Sequence, residues 1–182
     1  MGQVHLIEGL LCRLATVMPS GLKPLLEADR GIGTSPELVK VVHALGWYYL
    51  LRVQGQTRFQ CPDGPEVALC EVVSRGGQWT APGKVFKRAG WLDSIAHVLW
   101  EQPYEQSWCL ITNCPFITPQ PYGKRHWQEA SFRDLKSDGW QWQTSPIFTP
   151  AHAHLLLLVL TIGLCLGPRR GLPEPSHNRH LR

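Results

Sequence analysis

The sequence predicts an α/β fold interrupted by an inserted, mostly antiparallel β segment. Over residues 23–53 a strand, a helix and a second strand follow one another with short links. Residues 54–106 then break this order with short alternating runs that are rich in Gly and Pro. The chain has 182 residues, 43% of them hydrophobic, which is enough for one core but not comfortably for two domains.

The elements of the first 53 residues each carry a local signature. Apolar residues near helical spacing predict a first helix over 5–18, and "KPLLEADRG" predicts a buried strand that ends at Asp29. The segment "TSPELVKVVHALG" predicts a helix, because Ser35 suits the N-cap, Pro36 the first helical position and Gly46 the end. The aromatic and aliphatic run "WYYLLRV" predicts the strand that follows.

The last third of the chain predicts one strand and two helices. "SWCLITN" predicts a strand, and a helix is expected over residues 121–138. The apolar run 155–166 has 12 residues, whereas a membrane-spanning helix needs about 20, so we expect a buried core helix and no membrane partner. The basic, Pro-rich residues 168–182 are expected to be disordered.

The helix expected over residues 121–138 has an unusual polar stripe. Tyr122, Arg125, Glu129, Phe132 and Lys136 follow one another in steps of three, four, three and four, which places them on one helix face. Two structural explanations apply residue by residue: Tyr122 anchors the start of the helix, and Arg125 with Glu129 forms a solvated i, i+4 pair. A functional explanation requires the whole stripe to act together.

Two acidic residues stand out by their positions. Asp29 ends a predicted strand, and Glu129 lies on a helix beyond the β segment. Mg²⁺ prefers carboxylate oxygens, and carboxylates that meet at strand and helix ends are what two-metal phosphoryl transfer requires. Beside Glu129, Arg125 and Lys136 are suited to hold phosphate groups.

These residues resemble a known enzyme family. Tyr122, Arg125, Glu129 and Lys136 reproduce the Tyr-(2)-Arg-(3)-Glu-(6)-Lys pattern of DDE transposases of the insertion-sequence IS-four family. "EADRGIGTSPELVKVVHALGWYYLLRV" is similar to the second-aspartate block of that family. "WCLITN" and "SDGWQWQTSPI" are similar to the segments on either side of its glutamate helix.

The resemblance implies a ribonuclease-H-like catalytic domain that binds Mg²⁺ or Mn²⁺, cleaves DNA at transposon ends and transfers the strands. It assigns Asp29 and Glu129 as catalytic metal ligands, and it assigns Tyr122, Arg125 and Lys136 as contacts to DNA. It also divides the chain into 1–53, the second half of the core; 54–106, the β-rich insertion; 107–167, the last core strand with two helices; and 168–182, the tail.

The chain departs from the family pattern at one catalytic position. The family has a further aspartate on a strand before the Asp29 block, but none of the five aspartates of this chain precedes Asp29. The resemblance therefore implies an N-terminally truncated, C-terminal part of a transposase that is inactive alone, with the N-terminal half or a second protomer as its partner. A non-catalytic DNA-binding remnant and a small interaction protein without a DNA role are the alternatives.

The remaining signals are weaker. The formal charge of +4 permits a polyanionic partner, and Lys84, Lys87 and Arg88 form a basic cluster that suits a DNA backbone or a solvated loop equally well. The first residues carry no secretory signal and the six cysteines form no metal-binding pattern, so a reducing, cytoplasmic compartment is expected.

Overall fold

The computed structural model describes residues 3–124, 130, 133 and 149–166. It divides into two compact units, Met1–Gly123 and Lys124–Arg182. The helices are α1 (Gln3–Val17), α2 (Pro36–Ala44), α3 (Gln120–Gly123) and α4 (Pro150–Leu166). The strands are β1 (Leu25–Ala28), β2 (Tyr48–Val53), β3 (Arg58–Gln60), β4 (Glu66–Ala68), β5 (Gln78–Val85), β6 (Leu92–Leu99) and β7 (Trp108–Thr112).

All seven strands belong to one mixed sheet in the order β1-β2-β7-β6-β5-β3-β4. β1 and β2 are parallel, and every other neighbouring pair is antiparallel. The α/β class that the sequence predicts is confirmed at this level. The strands of residues 54–106 are antiparallel as expected, and they join the same sheet as β1 and β2.

The β1–α2–β2 unit forms where the sequence predicts it. Ser35 caps α2, since its hydroxyl oxygen accepts a hydrogen bond from Leu38 N at 3.3 Å, and Pro36 occupies the first helical position. Gly46 follows the helix with φ 68°, a left-handed conformation that glycine adopts without steric cost. Helix α2 buries Leu38 and Val42 in the core cluster that also contains Tyr49 and Leu51 of β2.

Strand β1 differs from the prediction in its burial. The sequence predicts a buried strand, yet all four of its residues are only half-buried. The reason is its place at the end of the strand order, where β2 is its single neighbour. The outer edge of β1 therefore has no strand partner within residues 3–124 and 149–166.

The sheet is strongly curled. β2 and β3 lie four places apart in the strand order, which in a flat sheet would separate them by about 19 Å. They are nevertheless joined by a tight turn in which Thr57 N donates to Gln54 O at 2.9 Å, and such a turn brings its ends within about 7 Å. The far end of the sheet must therefore fold back toward β2.

The curl encloses most of the core. Tyr49, Leu51 and Val53 point to the inner face of β2, where they join Phe59, Leu69 and Val85 from the far end of the sheet in one buried cluster. Leu50 points to the outer face and packs with Leu110 and Tyr122 in a second, smaller cluster. Because successive side chains of a strand point to opposite faces, alternate residues of β2 belong to two different apolar clusters.

Side-chain hydrogen bonds at the end of β7, from the residue after it and from β6 hold these segments against the start of β2. Asn113 Oδ1 accepts from Tyr49 N at 2.9 Å, and Asn113 Nδ2 donates to Trp47 O at 2.9 Å. The Thr112 hydroxyl donates to Tyr49 O, and the Tyr49 hydroxyl donates to Ser94 Oγ at 3.2 Å. These bonds extend the antiparallel pairing beyond the last backbone pair and satisfy buried polar groups.

Part of α4 is more exposed than the predicted buried core helix. Leu155, Leu158 and Val159 are each more than half exposed, since an apolar run makes a helix hydrophobic but does not determine what packs against it. Among the helices in the described part of the chain, none has both the length and the apolar character needed to cross a bilayer.

Candidate functional site

Asp29 lies at the carboxyl end of β1, directly after its last residue. Its backbone oxygen accepts from Gly33 N at 2.6 Å and from Ile32 N at 3.1 Å, and its Oδ1 accepts from Gly31 N at 3.0 Å. These bonds wind residues 29–33 into a tight turn that leads to the cap of α2. The carboxylate is thus fixed in direction by its own turn, at the edge where the parallel strands β1 and β2 end.

Gly33 makes this turn possible. It is buried, and a Cβ at this position would lie 2.8 Å from Asp29 O and would also collide with Arg52 O. Both neighbours are backbone atoms, which cannot rotate away as a side chain can. Gly33 therefore allows the Asp29 turn to pack directly against β2.

Next to this turn lies an open cleft of about 400 Å³, which we call the arginine cleft because Arg30 and Arg52 line it. Arg30 Nη1 donates to Gln106 Oε1 at 3.2 Å, and the Arg52 guanidinium lies 5.8 Å from the centre of the Trp108 ring. The cleft is further lined by Val53, Gln54, Gly55, Gln56, Cys70, Trp100, Glu105, Gln106 and Ser107. Two positioned guanidinium groups suit an anion such as phosphate.

Tyr122 is placed differently from the prediction of a helix face open to DNA. Its side chain is 3% exposed and packs in the outer cluster, with its ring centre 5.6 Å from that of Trp108. Its hydroxyl is buried without a hydrogen-bond partner among the described residues. This packing fits the alternative in which Tyr122 anchors a helix start, since it lies in α3; its contact with DNA stays a prediction.

The other predicted site residues, Arg125, Glu129 and Lys136, lie outside the described residues, and so do the tail 168–182 and most of the helix expected over 121–138. The distance between Asp29 and Glu129 is therefore not defined. Within residues 3–124, 130, 133 and 149–166, no group of three or more His, Cys, Asp or Glu side chains is placed to hold a metal ion. The predicted metal site stays a prediction that needs Glu129.

A second cleft, on the other side of the β2–β3 turn, was only partly predictable. It measures about 880 Å³ and is lined by four basic residues, Lys40, Arg58, Lys87 and Arg88. Of the basic cluster that the sequence predicts, Lys87 and Arg88 line this cleft, whereas Lys84 lines another cavity. Lys40 and Arg58 carry no local signal. They reach the same cleft only because the sheet curls.

In comparisons with known proteins, no family model and no curated protein matched this chain. The resemblance to DDE transposases therefore depends on the quoted segments and on the spacing of Tyr122, Arg125, Glu129 and Lys136.

Proposed function

We propose that this chain is the C-terminal part of the ribonuclease-H-like catalytic domain of a DDE transposase of the insertion-sequence IS-four family. In this proposal Asp29 and Glu129 bind Mg²⁺ or Mn²⁺, while Tyr122, Arg125 and Lys136 contact the transposon end. One observation carries it: Asp29, the residue that the family pattern assigns to the metal, lies at the carboxyl end of β1 beside β2 and the arginine cleft.

The chemistry assigned to these residues is cleavage of a phosphodiester bond. Asp29 and Glu129 would hold the metal ion, which would supply activation of the attacking oxygen and stabilisation of the leaving oxygen. Arg30 and Arg52 neutralise charge on the phosphate and hold it near the carboxylate, since guanidinium groups bind phosphate through paired hydrogen bonds. The fixed Asp29 turn keeps the carboxylate from reorienting, which lowers the entropic cost of assembling the site.

Metal binding tests the proposal directly. We expect 1 mM Mn²⁺ to raise the midpoint of thermal unfolding of the full chain, because a ligand that binds only the folded state stabilises it. The increase should disappear in Asp29→Asn and in Glu129→Gln. Asp63→Asn is the matched control, since Asp63 lies in an exposed turn outside the site. An equal Mn²⁺ effect in the wild type and in Asp29→Asn contradicts the proposed role of Asp29.

Cleavage activity gives the second test. The chain has only two of the three carboxylates of the family, so we expect it not to cleave DNA alone. The substrate is a duplex from the DNA that flanks its coding sequence, with Mg²⁺ or Mn²⁺ present. Nicking by the wild type should not exceed nicking by Asp29→Ala. Metal-dependent nicking that Asp29→Ala abolishes would show that another acidic residue completes the site. DNA binding without any metal effect at Asp29 favours the alternative, a DNA-binding remnant that does not cut.

A further inference from the structure

The large cleft beyond the β2–β3 turn has a strongly biased charge. Its lining residues include four cations but a single carboxylate, that of Glu37. We propose that this basic cleft, defined by Lys40, Arg58, Lys87 and Arg88, binds the sugar-phosphate backbone of double-stranded DNA. The inference rests on the proposed function and adds to it a contact surface that the family motif does not contain.

The four cations come from three separate elements. Lys40 is on α2, Arg58 begins β3, and Lys87 and Arg88 lie in the turn after β5. All four side chains are exposed, so their charges are available to a ligand. Because they are distributed around an open cleft and not gathered at one point, they suit an extended polyanion better than a small anion.

The turn that carries Lys87 and Arg88 is held in an unusual conformation. Phe86 and Trp91 have φ values of 62° and 57°, in the left-handed region that costs non-glycine residues roughly 1–3 kcal/mol each. Ala89 N and Trp91 N both donate to Phe86 O, at 2.9 and 3.3 Å, which closes the turn. The strained backbone thus presents two adjacent cations at the rim of the cleft.

Two carboxylates, Glu66 and Glu37, offset part of the positive charge of the cleft. Glu66 lies 2.6 Å from Lys87 Nζ and 3.9 Å from Arg58 Nε. The Glu37 carboxylate accepts from the Ser35 hydroxyl at 2.9 Å, and its pKa is lowered by hydrogen bonds from the backbone and from Ser35. Lys40 and Arg88 have no ion pair within 4 Å among the described residues, although Lys40 interacts with the Glu37 charge over a longer distance. The four cations still outnumber the two carboxylates, so the net charge of the cleft is positive.

The lining favours contact with the DNA backbone over contact with bases. Phe86 is its single aromatic residue and is half-buried, whereas binding of unpaired bases relies on exposed aromatic rings. Lys and Arg side chains, together with the amides and hydroxyls that line the rest of the cleft, contact phosphate oxygens without reading sequence. Binding in this cleft should therefore be independent of sequence and weakened by salt.

The test measures binding of the full chain to a fluorescent 20-bp duplex of arbitrary sequence, by anisotropy, with EDTA present at several salt concentrations. The double variant Lys40→Gln/Arg88→Gln should lose about tenfold in affinity, and the slope of log K against log salt should become shallower by about two. The control Arg13→Gln/Arg75→Gln removes the same charge from exposed positions outside the cleft and should stay within about twofold of the wild type.

Three outcomes overturn the inference: the wild type does not bind the duplex, the double variant keeps the wild-type affinity and slope, or the control loses as much as the double variant. Circular dichroism checks that each variant is folded. If the double variant is not, Lys40→Gln and Arg88→Gln are measured singly, each with an expected slope change of about one. Because EDTA removes metal ions, these results are independent of the Mn²⁺ test of Asp29, and a failure of this inference can be distinguished from a failure of the proposed metal site.

Discussion

Gly33 N donates to the backbone oxygen of Asp29 at 2.6 Å, and this bond closes the turn that carries the candidate catalytic carboxylate at the end of β1. The contact exists because Gly33 has no Cβ; an added one would meet Asp29 O at 2.8 Å and Arg52 O closer still. The position of Asp29 therefore depends on a residue that takes no part in the proposed chemistry.

Replacing Gly33 by alanine should unfold or displace the turn. We expect Gly33→Ala to lower the free energy of unfolding by roughly 2–4 kcal/mol, because the new methyl group collides with two backbone oxygens. Gly9→Ala makes the same chemical change inside α1, where no atom lies within 4 Å of the added Cβ, and should stabilise by up to about 1 kcal/mol. Urea unfolding measures both; equal effects of the two substitutions would contradict the packing described here.

Local patterns predicted the β1–α2–β2 unit well because its signals lie within a few residues of each other. Ser35, Pro36 and Gly46 occupy the cap, the first turn and the end of α2 as expected, and α1 runs over 3–17 against the predicted 5–18. These features follow from backbone preferences that act over one helical turn. The segment that carries Asp29 was found for the same reason.

The pairing of distant segments was not predictable from those patterns. Nothing near "WCLITN" indicates that β7 pairs with both β2 and β6, or that Asn113 bonds to Trp47 and Tyr49. Lys40 and Arg58 reach one cleft through the curl of the sheet, which depends on the order of all seven strands. Tyr122 has a hydroxyl group at its tip, but its ring packs with Trp108 and Leu110. No local pattern in the sequence predicts that contact.

The Tyr49 hydroxyl makes the fold sensitive to alkaline pH. Burial raises the pKa of Tyr49 from 10.0 to about 12, so the folded state favours the neutral phenol more than the unfolded state does. The neutral phenol therefore contributes roughly 2–3 kcal/mol to the free energy of unfolding. This stabilisation is fully present below pH 10 and is lost as the pH rises toward 12.

Tyr49→Phe tests this dependence. The variant should be about 1 kcal/mol less stable at pH 8, since it loses the bond to Ser94, but its stability should fall less steeply between pH 9 and pH 11. Tyr104→Phe changes a half-exposed tyrosine and should keep the wild-type slope. A parallel pH dependence in the wild type and Tyr49→Phe would rule out this role for the buried phenol.

His97 should make the fold sensitive to acid. Burial lowers the pKa of His97 below its ordinary value of 6.5, partly offset by the nearby Ile117 backbone, and the imidazole Nδ1 lies 2.9 Å from Thr80 Oγ1. The folded state thus favours the neutral ring. Its contribution is present above pH 6.5 and is lost as the pH falls through the lowered pKa.

For His97 the measurement is urea unfolding at pH 7 and pH 5. His97→Gln should lose less stability than the wild type over this interval, because glutamine has no proton to gain. His5→Gln is the control, since the His5 side chain is 64% exposed, and its loss should match that of the wild type. If His97→Gln and the wild type lose stability equally, the acid sensitivity comes from other groups.

We expect this chain to self-associate at high concentration, because of exposed surfaces on helix α1 and strand β1. Leu6, Leu10, Leu14 and Val17 are 43–76% exposed and recur every three or four residues, which makes them one apolar stripe opposite the polar face of α1. Strand β1 is the last strand of the sheet within the described residues, and a strand at the end of a sheet can pair with another chain. Apolar stripes and open strand edges both promote contact between molecules.

Sedimentation velocity over a range of protein concentrations checks this prediction. The wild type should form concentration-dependent larger species, and Leu10→Lys/Val17→Lys should shift the distribution toward the monomer, because charge on the stripe opposes its burial. The control His5→Lys/Thr16→Lys adds lysines to the polar side of the same helix and should leave the association unchanged. The prediction is wrong if the wild type stays a monodisperse monomer and unfolds cooperatively above about 60 °C, the upper part of the usual mesophile range. The apolar stripe and the edge strand would then not drive association.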